Sequence, residues 1–146
     1  MMELVELEAL VGWNFPGGTW QLEPWWDSLA CDVFRTETPA RDGVAHPMGC
    51  YFAALGGMGL TWDELFAVCG SSASEGPMIG DCEIELCGPM ATGVVYEVSG
   101  AITKTARKQG RSGVFDVVVF RLEVRHRSGA LAGVSTNTLV FPRSAS

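Results

Sequence analysis

The stretch Gly43-Val44-Ala45-His46-Pro47-Met48-Gly49-Cys50-Tyr51-Phe52-Ala53-Ala54-Leu55 decides how this chain folds. It is the longest nearly uncharged apolar run, and a glycine cluster (Gly56, Gly57, Gly59) follows it. From Pro47 to Leu55 the run suits a buried helix. Proline is tolerated in a first helical turn, and glycine commonly follows a last one. Everything after residue 78 reads as long β-strands, so the simplest architecture wraps a sheet around this single helix.

Working upstream, residues 36–42 are polar and contain Pro39, which makes them a loop into the central helix. Before it, Trp26, Leu29, Ala30 and Val33 fall at i, i+3, i+4 and i+7. That spacing defines one apolar helical face, with Asp27, Ser28 and Asp32 on the other side. Pro24 suits the first turn, and the helix ends near Arg35. Residues 3–22 are short apolar pieces broken by Gly12, Pro16, Gly17 and Gly18, with room for one short strand.

Downstream, Thr61-Trp62-Asp63-Glu64 has the form of a capping box that starts a short helix through Val68. Residues 70–76, rich in serine, form a second loop. In 79–87, Cys82, Ile84 and Leu86 alternate with Asp81, Glu83 and Glu85, a strand with one wet face. Residues 94–107 form a second strand, with Tyr96, Val98, Gly100 and Ile102 on one side. Residues 108–113 are its hairpin loop. Val114 to Arg125 is the most β-prone segment and belongs at the centre of the sheet. After a turn at 126–129, Leu131 to Phe141 is the last strand, stopped by Pro142. The layout is α+β in a single domain over residues 1–146, with no repeat and no linker.

Bulk composition narrows the function. Of 146 residues, 47% are apolar and 18% charged, which excludes a disordered chain. A net charge of −7 argues against general nucleic-acid binding. Seven of the ten basic residues (Lys104, Arg107, Lys108, Arg111, Arg121, Arg125 and Arg127) nevertheless lie between 104 and 127. The five cysteines show no CxxC spacing and read as reduced core residues, with no metal implied. With Glu3, Glu6 and Glu8 at the start and no apolar run near about 18 residues, the expectation is a cytoplasmic protein without membrane contact.

Several of these segments together resemble the MaoC-like (R)-specific enoyl-thioester hydratases and dehydratases, which have the hotdog fold. Ala45-His46-Pro47-Met48 resembles the Ala-His-Gly-Met opening of that family's central helix. Ile79-Gly80-Asp81, Gly88-Pro89-Met90, the Lys108-Gln109-Gly110-Arg111-Ser112-Gly113 hairpin and the Ser128-Gly129 turn are similar to its later strands and turns. The resemblance covers roughly residues 40–141. It implies a long antiparallel sheet around one helix, an acyl thioester of coenzyme A or of acyl carrier protein as ligand, no cofactor, and work in homodimers or heterodimers.

The family's chemistry needs an aspartate and a histidine as general base and acid, from an Asp-x-Asn-Pro-x-His segment. It also needs a backbone N–H at the helix start aimed at the thioester oxygen. On the register set by Pro24, the aspartate position is Gln21 and the histidine position is Trp26. The oxyanion glycine is Pro47, which has no N–H. Asp42 and His46, four apart, are candidates for a substitute dyad, with the N–H of Met48 or Gly49 as donor. Equally, a histidine at a helix start is commonly a satisfied hydrogen-bonding residue. Trp26, Met48, Tyr51 and Phe52 are candidates to line an acyl site, or else are core. Lys108 and Arg111 are candidates to attract the carrier's phosphates, or else form a solvated face. Three readings follow. The first is a dyad-lacking subunit that shapes an acyl tunnel beside a catalytic hotdog partner. The second is a homodimeric hydratase, dehydratase or thioesterase using Asp42 and His46. The third is a non-enzymatic acyl-thioester or lipid-binding protein.

Overall fold

The architecture, taken from a computed structural model that describes residues 1–36 and 43–143, grows from the apolar run at its centre. Helix α3 spans Gly49–Gly56 and buries Gly49, Cys50, Ala53 and Ala54. It starts two residues later than the sequence predicts, because Pro47 and Met48 form a turn. Its other companions are α1 (Leu4–Ala9), α2 (Pro24–Phe34) and α4 (Trp62–Val68). The five strands are β1 (Gly18–Gln21), β2 (Met78–Leu86), β3 (Val95–Gly110), β4 (Gly113–His126) and β5 (Leu131–Arg143). They form one antiparallel sheet in the order β1-β3-β4-β5-β2, and α3 touches all five.

Small residues let the helix lie this close to the sheet. A Cβ on Gly133 of β5 would sit 2.6 Å from Cys50 Sγ and 2.9 Å from the Glu85 carbonyl oxygen. A Cβ on Gly57, just past the helix, would sit 2.4 Å from the Val98 side chain. Around this contact Tyr96, Phe120, Leu122, Val124 and Leu139 are buried, each from the alternation of its strand. β4 lies at the sheet centre as its sequence requires. The Thr61 hydroxyl oxygen accepts from the Glu64 N–H at 3.2 Å and the Glu64 carboxylate accepts from the Thr61 N–H at 2.7 Å, the capping box expected for α4.

Several expectations need correction. α1 was not foreseen, since six helical residues beside a glycine-broken segment leave little periodicity. The β3–β4 loop is shorter than 108–113. Gly110 and Gly113 are paired, so only Arg111 and Ser112 turn the chain. Pro142 does not stop β5, which runs to Arg143 with Pro142 opposite Phe115. Pairing with β2 ends at Val140, so the proline sits on a free edge where its missing N–H is tolerated. Cys31, Cys50 and Cys69 are buried, but Cys82 and Cys87 are exposed. They lie on and just after β2, an edge strand that is open on both faces over most of its length.

The far end of the sheet holds a buried charge cluster absent from the sequence reading. Asp116 on β4 is fully buried. Its carboxylate accepts from Arg107 Nε at 2.7 Å and from Arg143 Nε at 2.8 Å. Arg143 also donates to the Cys69 and Gly70 carbonyls, both at 2.7 Å, and Arg107 to the Met2 carbonyl at 2.6 Å. The cluster therefore ties β3, β4 and β5 to the chain start and to the end of α4. Burial alone would raise the Asp116 pKa, but the hydrogen bonds and charges of the two guanidinium groups outweigh it and hold the carboxyl below its ordinary range.

Asp116→Ala strands two guanidinium groups, one of them buried, and is expected to cost about 3–5 kcal/mol in urea unfolding. The pH dependence has a definite sign. A carboxyl depressed in the folded state contributes stability above its unfolded pKa of about 3.9 and loses it as pH falls toward the folded value. Unfolding free energy measured between about pH 5 and pH 2 should therefore fall less steeply in Asp116→Asn than in the unaltered chain.

Candidate functional site

The site is assembled where α2 meets the entrance of α3. Pro24 occupies the first turn of α2 behind Glu23, whose extended backbone makes it the N-cap. Arg35, in the left-handed region at φ 52°, ends the helix. The inward side of α2 is rotated from the apolar face read in the sequence: Ala30 is buried and Trp26 half-buried as that face requires, but Leu29 and Val33 are not. Asp27, Ala30 and Cys31 are buried, whereas Leu29 is 54% and Val33 75% exposed. The small residues Ala30 and Cys31 permit a close approach, and the bulky face is left outside. There Trp26, Leu29, Ala30, Val33, Phe34 and Phe52 line an apolar groove of about 150 Å³.

Asp27 is the residue that sequence reasoning missed. Its Oδ1 accepts from the backbone N–H of His46 at 2.6 Å, across nineteen residues of chain, and so fastens the α3 approach loop to α2. Its Oδ2 is buried and has no hydrogen-bond partner among the described residues. The available signal was that Asp27, Ala30 and Cys31 share a helical face of their own at i, i+3 and i+4.

His46 is held on several sides. Its ring stacks on Phe34 with centroids 5.0 Å apart and planes 12° from parallel. Its Nδ1 accepts from the Met48 N–H at 3.1 Å, which assigns the proton of the neutral ring to Nε2. Its carbonyl accepts from the Gly49 N–H at 2.8 Å, and the Pro47 carbonyl accepts from the Cys50 N–H at 3.3 Å. The first free donors of α3 are thus already engaged within the chain, and Pro47 has none to offer. A cavity of about 220 Å³ lies beside His46, bounded by Val44, Pro47, Leu86, Pro89 and Met90.

The other candidates fall into two groups. Trp26 packs on Phe52 with centroids 4.6 Å apart, and Tyr51 meets Phe52 edge-on at 5.3 Å. Met48 is the N-cap residue of α3 and donates its N–H to His46, and of these four Trp26 and Phe52 line the groove beside α2. Gln21 ends β1 and is exposed. Asp42 lies outside the described residues. Lys108 and Arg111 are exposed at the tip of the β3–β4 hairpin, well along β3 from Val98, which packs at the end of α3. The structure does not bring them to the aromatic cluster. Within the basic stretch, Arg107 serves Asp116, while Arg121 and Arg125 both hold Glu123.

Two of the buried thiols, Cys50 and Cys69, are held in their protonated, poorly nucleophilic form. Burial, with smaller contributions from Cys87 and Cys82, pushes Cys50 up to about 11. Burial likewise pushes Cys69 up to about 12. Among the described residues, no group of three or more His, Cys, Asp or Glu side chains is placed to hold a metal ion. Among the described residues, no helix is long and apolar enough to cross a membrane.

The strand order, with one short helix laid against all five strands, can be compared with solved proteins. The chain matches the ChsH1–ChsH2 complex of Mycobacterium tuberculosis with a TM-score of 0.69 at 12% identity, over 97% of this chain and 90% of the other. It matches the HadBC (3R-hydroxyacyl-ACP dehydratase) complex of the same organism with a TM-score of 0.65 at 16% identity, over 88% and 93%. A MaoC-like dehydratase from Rhodospirillum rubrum matches over 100% of both chains, with a TM-score of 0.52 at 15% identity. The chain has the hotdog fold. No protein-family model matches it, and no curated protein matches it in sequence. The likeness at these identities is one of fold. In hotdog terms, α3 is the central helix, and the Trp26–Phe52 cluster lies at its entrance.

The rotated face of α2 is directly testable. Asp27→Ala removes the acceptor of the His46 N–H and is expected to lower stability by about 1–3 kcal/mol. Leu29→Ala, on the face the sequence placed inward, should change it by less than about 0.5 kcal/mol. Denaturant unfolding of the two variants would show the opposite ranking if Leu29 faced the core.

Proposed function

We propose that this chain is an acyl-thioester-binding hotdog subunit that carries no hydration dyad of its own and supplies apolar wall beside a catalytic partner. The observation that carries the reading is the packing of Trp26 on Phe52. On the register set by Pro24, an indole stands where the resembling enzymes place an imidazole, and the exposed Gln21 stands where they place the carboxylate. Adding water across an enoyl thioester requires a base, an acid and a donor to the developing enolate oxygen. At the α3 entrance the N–H groups of Met48 and Gly49 are already taken, and Pro47 offers none. The aromatic cluster of Trp26, Phe52 and Tyr51, with Met48 assigned to the same wall, suits an acyl chain rather than an activated water.

The partner is a second hotdog chain, and the ligand is a thioester of coenzyme A or of acyl carrier protein. Lys108 and Arg111, away from this cluster, contribute only a general attraction for a phosphate-bearing carrier. His46 acts in this reading as the fastening of the loop before α3.

The purified chain alone should not hydrate a short enoyl-coenzyme A above background, followed by loss of the enoyl-thioester absorbance. It should bind a long-chain acyl-coenzyme A with a change in tryptophan fluorescence, weakened roughly tenfold in Trp26→Ala. Hydration by the chain alone that disappears in His46→Ala would sink this reading in favour of a homodimeric enzyme using His46.

A further inference from the structure

Strand β2 is an edge. It pairs with β5 on one side and, among the described residues, has no strand on the other. After the register shift between Ile79 and Asp81, the carboxylates of Asp81, Glu83 and Glu85 lie along one face, all exposed. Their neighbours across the ladder are Thr138, Thr136 and Val134, none of them a cation. None of the three is in an ion pair among the described residues. The opposite face of the strand carries Cys82, Ile84 and Leu86, with Leu86 43% exposed. One backbone donor, the Cys82 N–H, is closed by Asp81 Oδ1 at 2.9 Å. An open edge of nine residues is a template for another strand unless something prevents it.

The charge pattern decides which strand. Joining two copies of this chain edge to edge through antiparallel β2 strands requires a two-fold axis normal to the sheet. That axis keeps each face on its own side, so the acidic row of one copy meets the acidic row of the other. Either Glu83 lies opposite its own copy and Asp81 opposite Glu85, or, one step along, Asp81 lies opposite Glu83. Like charges directly opposite across strands are destabilising. No symmetric register that pairs the middle of β2 escapes this, because moving by a single residue would set side chains of opposite faces against each other, and registers that avoid it overlap only at the strand ends.

We infer that the β2 edge rejects a second copy of this chain and accepts an antiparallel edge strand of a different chain bearing Lys or Arg at alternate positions. Pairing exchanges the Asp81–Cys82 contact for a backbone hydrogen bond and frees the Asp81 carboxylate for the partner's cation. This names the recognition chemistry of the partner proposed above, and rests on that reading only for the partner being another hotdog chain. Charge here acts mainly as selection against the wrong pairing.

A complementary version of the chain itself tests the idea. The triple variant Asp81→Lys/Glu83→Lys/Glu85→Lys carries a like-charged row of the opposite sign. Sedimentation and native mass spectrometry at low salt should find each protein monomeric alone and a one-to-one dimer in the mixture. Raising salt to about 0.5 M should weaken that dimer by at least about tenfold. A mixture that remains two monomers would overturn the inference, as would a wild-type dimer whose β2 amides are protected from hydrogen exchange. Should the lysine variant fail to fold, Asp81→Asn/Glu83→Gln/Glu85→Gln takes its place. Self-association about tenfold stronger than wild type is then expected, and unchanged monomer counts against the inference. Hydration of an enoyl thioester by the wild-type chain alone would overturn the preceding reading and leave this one standing.

Discussion

The contact between Cys50 of α3 and the bare backbone of Gly133 on β5 is the constraint on which the rest depends. Only at that distance can an eight-residue helix touch every strand of the sheet at once. The alternating residues of β3, β4 and β5 then have one common surface to pack against, and interior packing tolerates little change in volume. A side chain at position 133 has nowhere to go but into a sulfur and a backbone carbonyl. The small residues of the apolar run, Gly49, Cys50, Ala53 and Ala54, are therefore as necessary as the large ones they sit among.

At the start of the same helix, the chain closes a circuit of its own hydrogen bonds. Asp27 holds the His46 amide, His46 holds the Met48 and Gly49 amides, and the Pro47 carbonyl takes the Cys50 amide. A helix N-terminus ordinarily offers unpaired N–H groups to an anion or an oxyanion. Here those groups support the loop instead, and the aromatic side chains around them define the character of the entrance. The preference for a binding role over a hydrating one comes from where the donors are spent, rather than from the loss of any single side chain.

Much of the architecture was legible because it rests on local rules. The apolar run, the Thr61–Glu64 capping box and the alternation of Tyr96, Val98 and Ile102 each state their structure within a few residues. The helical extent of α2 was also legible, but its orientation was not. Trp26, Leu29 and Val33 make the stronger apolar stripe, whereas burial follows the side with small residues, where a neighbouring loop approaches and Asp27 finds its amide. Pairings that span long stretches of chain left no local trace. Asp116 meets Arg143 across twenty-seven residues, and Asp27 meets His46 across nineteen. Pro142 reads as a stop in the sequence, yet its tolerance depends on where β2 ceases to pair, a property of the sheet and not of the sequence around the proline.

The long strands have a geometric consequence. Fourteen residues of β4 extend about 45 Å, whereas the eight residues of α3 rise only about 12 Å. One helix cannot cover such a sheet, so the inner surface is divided along its length. Near Gly133 and Val98 it is roofed by α3, and near Asp116 it is closed by the chain start and α4 through two arginines. One end of the sheet is thus held by paired charges and the other by close packing and the Asp27–His46 hydrogen bond, so a substitution at either end removes one kind of anchorage and leaves the other in place.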